Sequence, residues 1–408
     1  MFFIPICAAS DSGGMEFVMI FFSKISLLGK VMIRKLFMYI ISRIYPIEKK
    51  IVFISFGGKQ YSDNPREISE KMHGLYPNYK HIWIINEDMD KYSMIPSYVK
   101  KIGVCHRFKI LKEMATAFCI ISNNQFMDCY YKRPAQYYIN TWHGNNPLKK
   151  ILYDVLPEDE WPIRIADNKL VDLCISGSGF GSRLYGSAMH YYGRILEIGT
   201  PRNDCLVNED IKRAGEVRHR LHIPAKCKVL LYAPTFRDNL KSKQNVFVDL
   251  ERIMKLLGID GDWRCLLRAH PASQGLKEEQ QLPVIDVTHY PDMTDLILIA
   301  DMLITDYSSC ASDIILRNKP AIMAQFDYDD YRKKCRDFYF EMDELPFFIA
   351  KTQAELEEMI MGLTVEKVEE NCRKIKEFYQ INETGESAKE ICKIIHAEYI
   401  RRFETKER

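Results

Sequence analysis

Twelve cysteines are scattered along this 408-residue chain, yet no two form a C-x-x-C pair, the spacing that marks zinc ribbons and redox dithiols. Several sit in apolar runs, AFCII (117 to 121) and DLCIS (172 to 176) among them, as buried reduced thiols do, which places the chemistry in a reducing cytoplasm. Charge of one sign is also missing. A net charge of +2 gives no global field to recruit nucleic acid, so any anion site must be local. The phosphate and nucleophile signatures fail in turn. FGGK (56 to 59) lacks the spacing and the Ser/Thr of a P-loop, and in SGSGFGS (176 to 182) the third glycine, Gly181, comes one residue early for a dinucleotide-binding turn. No G-x-S-x-G elbow occurs, and His219 and His222 have only Cys227 nearby, short of a metal ligand set. These absences count against hydrolase, dehydrogenase and metalloenzyme readings, and nothing in the chain calls for a metal or a cofactor. There is no low-complexity tract or internal repeat.

What is present is an ordinary globular composition, 47% hydrophobic and 27% charged, in a chain too long for one compact core. Short apolar runs alternate with helical lengths. One set comprises IVFIS (51 to 55), HIWII (81 to 85), AFCIIS (117 to 122), QYYINTW (136 to 142), DLCIS (172 to 176) and RILEIG (194 to 199). A second comprises KVLLYAP (228 to 234), WRCLLRAH (263 to 270), VIDVT (284 to 288), MLIT (302 to 305) and AIMAQF (321 to 326). Near-continuous apolar strands separated by helices predict parallel β/α/β units covered on both faces. The fold expected is α/β: two Rossmann-like doubly wound domains facing a central cleft, spanning 51 to 205 and 206 to 385, with a helical tail at 386 to 408. The polar stretch Asn203 to Lys228 reads as the interdomain segment.

Residues 17 to 47 contain no acid, while Lys24, Lys30, Arg34, Lys35 and Arg43 add five positive charges to an apolar background. On a helical wheel most polar positions share one half, opposite Phe21, Ile25, Leu28, Met32 and Leu36, although Leu27, Val31 and Phe37 intrude on the polar side. No apolar run there exceeds six residues, whereas a spanning helix needs about 20. Residues 1 to 50 therefore read as an amphipathic segment lying in an anionic membrane surface, with a helix packed on the first domain as the alternative. Met15 and Met19 offer alternative starts.

The most informative stretch is DMLITDYSSCASDIILRNKPAIMAQFDYDDY (301 to 331). A short strand stops at a hydroxyl-rich turn that offers Thr305, Ser308, Ser309 and backbone N–H groups at a helix start, an arrangement that chelates phosphate oxygens. His143 follows the strand QYYINTW, where a parallel sheet opens into a cleft, and at neutral pH an imidazole there can accept a proton from a hydroxyl. His270 closes the strand CLLRAH with Arg268 before it. Ser62, Asp63 and Asn64 ahead of Pro65 read as a capped helix start, and Asp306 as a cap for its own turn.

Together with TWHGNNPLKK (141 to 150), YAPTFRD (232 to 238), LLRAHP (266 to 271), SFGGKQYSDNP (55 to 65) and EIGTPRND (197 to 204), that stretch resembles the CDP-glycerol glycerophosphotransferase family, whose members prime and polymerise teichoic acids. The resemblance covers residues 51 to about 345 and implies the GT-B fold. It also implies transfer of glycerol 3-phosphate, or a related polyol phosphate, from a CDP-polyol to a hydroxyl of a prenyl-diphosphate-linked saccharide or growing polymer. That reaction belongs at the cytoplasmic face of the membrane. By the same resemblance His143 is the base; His270, Arg268 and Arg237 hold the donor phosphates; Asp313 accepts the ribose hydroxyls; and Gly144, Lys149, Ser62 and Asp63 lie on the acceptor side. Arg336, Phe338 and Tyr339 match an R-G-F-Y segment in which Asp337 replaces the glycine. The loop HGNNPLK departs from the family's H-G-T-P-L-K by an extra residue and the loss of the threonine, which bears on the acceptor. Two other readings remain: a GT-B glycosyltransferase using a nucleotide sugar, and a non-enzymatic binding protein on the same fold.

Overall fold

The computed structural model describes residues 29, 32–86, 95–124, 131–144, 146–155, 169–235, 247–258, 262–269, 284–334 and 337–405. Two wholly parallel sheets organise them. The first contains β1 (Glu48–Ile54), β2 (Lys80–Ile85), β3 (Val99–Gly103), β4 (Ala117–Ser122), β5 (Tyr137–Asn140), β6 (Leu173–Ser176) and β7 (Ile195–Glu197), in the order β3-β2-β1-β4-β5-β6-β7. The second contains β8 (Lys228–Ala233), β9 (Trp263–Leu267), β10 (Ile285–Asp286), β11 (Met302–Thr305), β12 (Ala321–Ala324) and β13 (Phe348–Ala350), in the order β10-β9-β8-β11-β12-β13. The inner strands are apolar along most of their length because helices cover both faces; Val52 and Phe53 are fully buried on opposite sides of β1. In each sheet the winding direction reverses beside the first strand, between β1 and β4 and between β8 and β11. The crevice outside the carboxyl ends of such a pair is where doubly wound sheets bind ligands.

Two strands were not read from the sequence, β3 and β13. Both are sheet edges, and β3 carries Lys100 and Lys101, whose exposure breaks any apolar run. The segment after Asn203 is more ordered than an interdomain linker. It forms helices Asp204–Val207 and Ile211–Arg220 and buries Leu206 and Val217 in the second domain's core.

The chain's last helix, Ser387–Tyr399, returns to the first domain. Its Ile391, Cys392 and Ile395 are fully buried with Ile51, Phe53 and Ile68; burying each such aliphatic side chain contributes about 1.5–3 kcal/mol. At the other end, helix α1 (32–44) docks on the first domain through Met38 and Phe37, whose ring meets Phe108 at 5.2 Å. Phe37 is thus a packing residue rather than an intrusion. Phe108 belongs to helix α3 (Arg107–Thr116), and helix α2 (Asp63–Leu75) leads from the cleft. The opposite side of α1 leaves Met32, Ile33, Leu36, Ile40 and Ile44 exposed, from 46% at Ile40 to 71% at Met32. Residues 17–28, 30 and 31 of the amphipathic segment lie outside the described residues. No helix among the described residues is long and apolar enough to cross a membrane.

Candidate active site at the interdomain cleft

His143 sits three residues past β5, and its position is fixed from the end of β4. Its Nδ1 lies 2.7 Å from the carbonyl oxygen of Asn123. A carbonyl can only accept, so Nδ1 carries the proton and the neutral ring presents an unprotonated Nε2. Asn123 is itself held on both sides. Its Oδ1 accepts the Phe56 N–H at 2.8 Å, and its Nδ2 donates to Asp63 Oδ1 at 3.0 Å. The Trp142 ring stacks on His143 with centroids 4.3 Å apart, and the Phe56 ring lies at 5.2 Å. Burial holds the imidazole below its ordinary pKa, the Asn123 carbonyl and Asp63 offsetting only part of that effect. The ring is therefore neutral, and ready to accept a proton, at physiological pH.

Three residues bordering this histidine, Phe56 (φ 46°), Asp63 (φ 62°) and Trp142 (φ 49°), adopt left-handed backbone. Each costs roughly 1–2 kcal/mol in a residue with a Cβ, a strain that structures tend to retain where a site needs it.

The second domain supplies the facing wall. Asp306 caps its turn as expected, accepting the Thr235 N–H at 2.9 and 3.0 Å and the Tyr307 N–H at 2.6 Å. Ser308 and Ser309 follow, partly exposed. The expectation for Thr305 is corrected: it is fully buried, and its hydroxyl donates to the Ala233 carbonyl at 2.7 Å, tying β11 to β8. The helix after the turn is also shorter than expected, four residues (Ala311–Ile314) followed by a 3-10 turn. Across the cleft, a Cβ placed on Gly144 would lie 3.4 Å from Ser309 Oγ, and Asn146 Nδ2 donates to Ser312 Oγ at 3.3 Å. The histidine loop and the hydroxyl turn are in contact.

A buried ionic network joins the start of α2, beside the histidine, to the short helix behind the hydroxyl turn, and sequence reasoning missed its centre. Arg202, quoted only as part of EIGTPRND, directs Nη2 at both carboxylate oxygens of Asp313, at 3.0 and 2.8 Å, and Nη1 at Asp63 Oδ2 at 3.4 Å. Its own N–H is accepted by Asn64 Oδ1 at 3.0 Å. Asp313, expected at a ribose, therefore spends its carboxylate on Arg202 in this structure. Burial raises the Asp313 pKa and Arg202 opposes that rise. Alongside, Glu383 accepts from Thr200 N and Oγ1, both at 2.7 Å, and from Asn203 Nδ2 at 2.9 Å. Burial lifts Glu383 to about 7. A carboxyl raised on folding stabilises the protein most below its unfolded pKa and loses that contribution as pH rises through the folded value. The melting temperature should fall between pH 5 and 8, and Glu383→Gln should flatten that part of the slope in a thermal-denaturation series.

Arg268 lies at the end of β9, with Nη1 donating to the Tyr290 carbonyl at 2.7 Å. Among the described residues no carboxylate pairs with it, and burial lowers its pKa, as for a cation that lacks its anion. Lys149 Nζ lies 3.4 Å from Tyr331 OH, and its backbone bridges to Phe338. Ser62 is corrected on two counts. Its hydroxyl donates to Gln60 Oε1 at 3.0 Å instead of capping α2, and it is only 1% exposed. His270, Arg237 and Arg336 lie outside the described residues.

Two doubly wound domains facing a cleft, with a neutral histidine on one and, on the other, a hydroxyl turn and an arginine that no carboxylate pairs among the described residues, define a two-domain protein of the GT-B type. Its family is identifiable. Residues 37–397 match the CDP-Glycerol:Poly(glycerophosphate) glycerophosphotransferase family, and the chain belongs to it. The chain is 36% identical over 317 residues to a teichoic acid poly(glycerol phosphate) polymerase of Staphylococcus epidermidis, covering 73% of this chain and 43% of that one. It is 32% identical over 379 residues to a teichoic acid glycerol-phosphate transferase of Staphylococcus aureus, covering 86% and 93%. The solved wall teichoic acid polymerase TagF superposes with a TM-score of 0.78 at 30% identity, covering 97% of this chain and 100% of that one. The chain thus spans less than half of the first relative and nearly all of the second.

Proposed function

We propose that this protein transfers glycerol 3-phosphate from CDP-glycerol to the terminal hydroxyl of a teichoic-acid-like polymer or its lipid-linked primer, releasing CMP. The observation that carries this reading is the His143 tautomer, an Nε2 lone pair on a loop that touches the Ser308–Ser309 turn. His143 Nε2 removes the proton of the acceptor hydroxyl, and the oxygen attacks the β-phosphorus of the donor. The bond from that phosphorus to the bridging oxygen breaks, and its electron pair leaves with CMP. Arg268 and the turn offset charge on the phosphoryl oxygens, which is most of what phosphoryl transfer asks of a protein; His270 and Arg237 are assigned to the same task. Gly144 and Lys149 belong to the acceptor side, with Asp63 as a support for Asn123.

CMP release tests this directly, with CDP-glycerol, CDP-ribitol and UDP-glucose offered separately beside a prenyl-diphosphate disaccharide. Release from CDP-glycerol alone is expected. Release of UDP only from UDP-glucose would transfer the protein to the glycosyltransferase reading. Because the base must be neutral and burial lowers its pKa, kcat/KM should rise with pH through a midpoint below the ordinary histidine value of about 6.5 and stay flat above it. A midpoint above that value would contradict the assignment.

The acceptor is assigned to a membrane surface, and the exposed apolar stripe of α1 supports this, with Phe108 beside it and Arg34, Lys35 and Arg43 on the same helix. Leu36→Glu/Ile40→Glu should weaken co-sedimentation with anionic vesicles by about tenfold or more while leaving CMP release on a soluble acceptor intact. Unchanged sedimentation would refute the surface.

A further inference from the structure

A second feature lies outside the cleft, along the free edge of the first sheet. Two hollows of about 490 and 510 Å³ open there and share Lys100, Lys112 and Glu113, so they form one trough. Its walls are β3 and α3. Among the described residues six lysines line it, Lys50, Lys80, Lys100, Lys101, Lys109 and Lys112, against two carboxylates, Glu48 and Glu113, a surplus of four positive charges in that set. Each carboxylate is shared: Glu48 between Lys50 and Lys80, and Glu113 between Lys50 and Lys100. Among the described residues Lys109 has no carboxylate, and Lys112 lies 4.4 Å over the Tyr45 ring near the end of α1.

Lysines on an edge strand can serve merely to blunt unwanted strand pairing, but that explains only Lys100 and Lys101. It does not explain His81, which lines the trough and is only 2% exposed. The Trp83 indole N–H donates to Ser69 Oγ at 3.2 Å, which leaves the hydroxyl proton to bond His81 Nδ1 at 3.0 Å. The neutral ring therefore carries its proton on Nε2, a buried donor with no hydrogen-bond partner among the described residues. Burial keeps the ring neutral, its pKa pushed down to about 4. The trough starts at the amino ends of β1 and β2, beside Glu48 and Lys80, and reaches Ile85 and Gly103 at the carboxyl ends of β2 and β3. The cleft opens at that same end of the sheet.

We propose that this trough binds a chain of phosphodiester anions, the polyol-phosphate polymer that the acceptor becomes, and guides it along the sheet edge toward the cleft. The inference rests on the function proposed above for its choice of polyanion. Lysines repeated along two walls match a ligand that carries charge at intervals, whereas a single lipid headgroup needs one socket. Attraction of this kind weakens with salt.

The test is calorimetric titration of the full chain with a soluble synthetic oligo(glycerol phosphate), for the wild type and for Lys101→Glu/Lys109→Glu, neither residue having a part in the cleft. The variant should bind the oligomer at least about tenfold more weakly, since two reversals remove the surplus of four charges. CMP release with a single-unit acceptor should be unchanged. Equal affinity in both proteins, or no binding by the wild type, would overturn the proposal. So would loss of binding to phosphatidylglycerol vesicles with oligomer affinity retained, which would make the trough a headgroup site. Because the titration needs no turnover, failure of the transferase reading would show separately, as absence of CMP release by the wild type.

Discussion

His143→Ala should lower kcat for CMP release by roughly a thousandfold, within the range that a positioned general base contributes, while CDP-glycerol binds about as tightly as before. The reason is the division of labour across the cleft. Proton transfer depends on one lone pair, Nε2, on the first domain, whereas Ser308, Ser309 and Arg268 belong to the second. Alanine also removes the ring stacked on Trp142, so a loss of activity alone could reflect a loosened loop. His143→Gln separates the two effects, since its amide can still donate to the Asn123 carbonyl but offers no comparable base. Both variants should be equally inactive, only the alanine variant should be measurably less stable, and the residual rate of each should lose the low-pH midpoint. Retention by His143→Gln of more than about a tenth of kcat would remove the histidine from the chemistry, because a tenfold loss is below what general base catalysis supplies.

The legibility of this protein in its sequence follows the distance over which its interactions act. Buried parallel strands announce themselves locally, because both faces demand apolar side chains, and β1, β2, β4, β8 and β11 were readable for that reason. Strand β3 was not, because an edge strand can leave Lys100 and Lys101 in solvent. The site shows the same division. His143 was readable as a histidine at a strand end, and Asp306 as a turn cap because one of its bonds is to the N–H of the next residue, although it also accepts from Thr235, 71 residues earlier. Thr305 was misjudged because its neighbours suggest a phosphate turn, while its hydroxyl is claimed by Ala233, 72 residues earlier. Arg202 carried no local signal beyond its motif. Its partners, Asp63 and Asp313, are 139 and 111 residues away, and only folding makes them neighbours. Asn123 is similar, although an asparagine one residue past a buried strand, at a reversal of strand order, is a place where a supporting side chain could have been sought.

That unforeseen arginine gives the largest expected effect on stability. Arg202→Met should destabilise the protein by about 3–5 kcal/mol, the cost of leaving buried carboxylates without their counterion. Asp63 and Asp313 would then face each other with Glu383 nearby. Asp313, whose pKa burial already raises, would be pushed further up on losing the guanidinium and would take a proton sooner than remain an isolated buried charge. The sign follows. A carboxyl whose folded pKa is raised stabilises most at low pH and loses that contribution as pH rises, so the gap between variant and wild type in urea unfolding should be wider at pH 8 than at pH 5. Arg202→Met/Asp313→Asn should recover a large part of the loss, because it removes the charge together with its partner. Activity should not recover with it. Arg202 bonds at once to the helix start beside the base and to the short helix behind the turn facing it, and an uncharged pair no longer holds the two walls of the cleft in register. A double variant restored in both stability and turnover would show that the ion pair serves packing alone. Restored stability with kcat still depressed is the expected result, and it would identify Arg202 as the residue that aligns the two halves of the site.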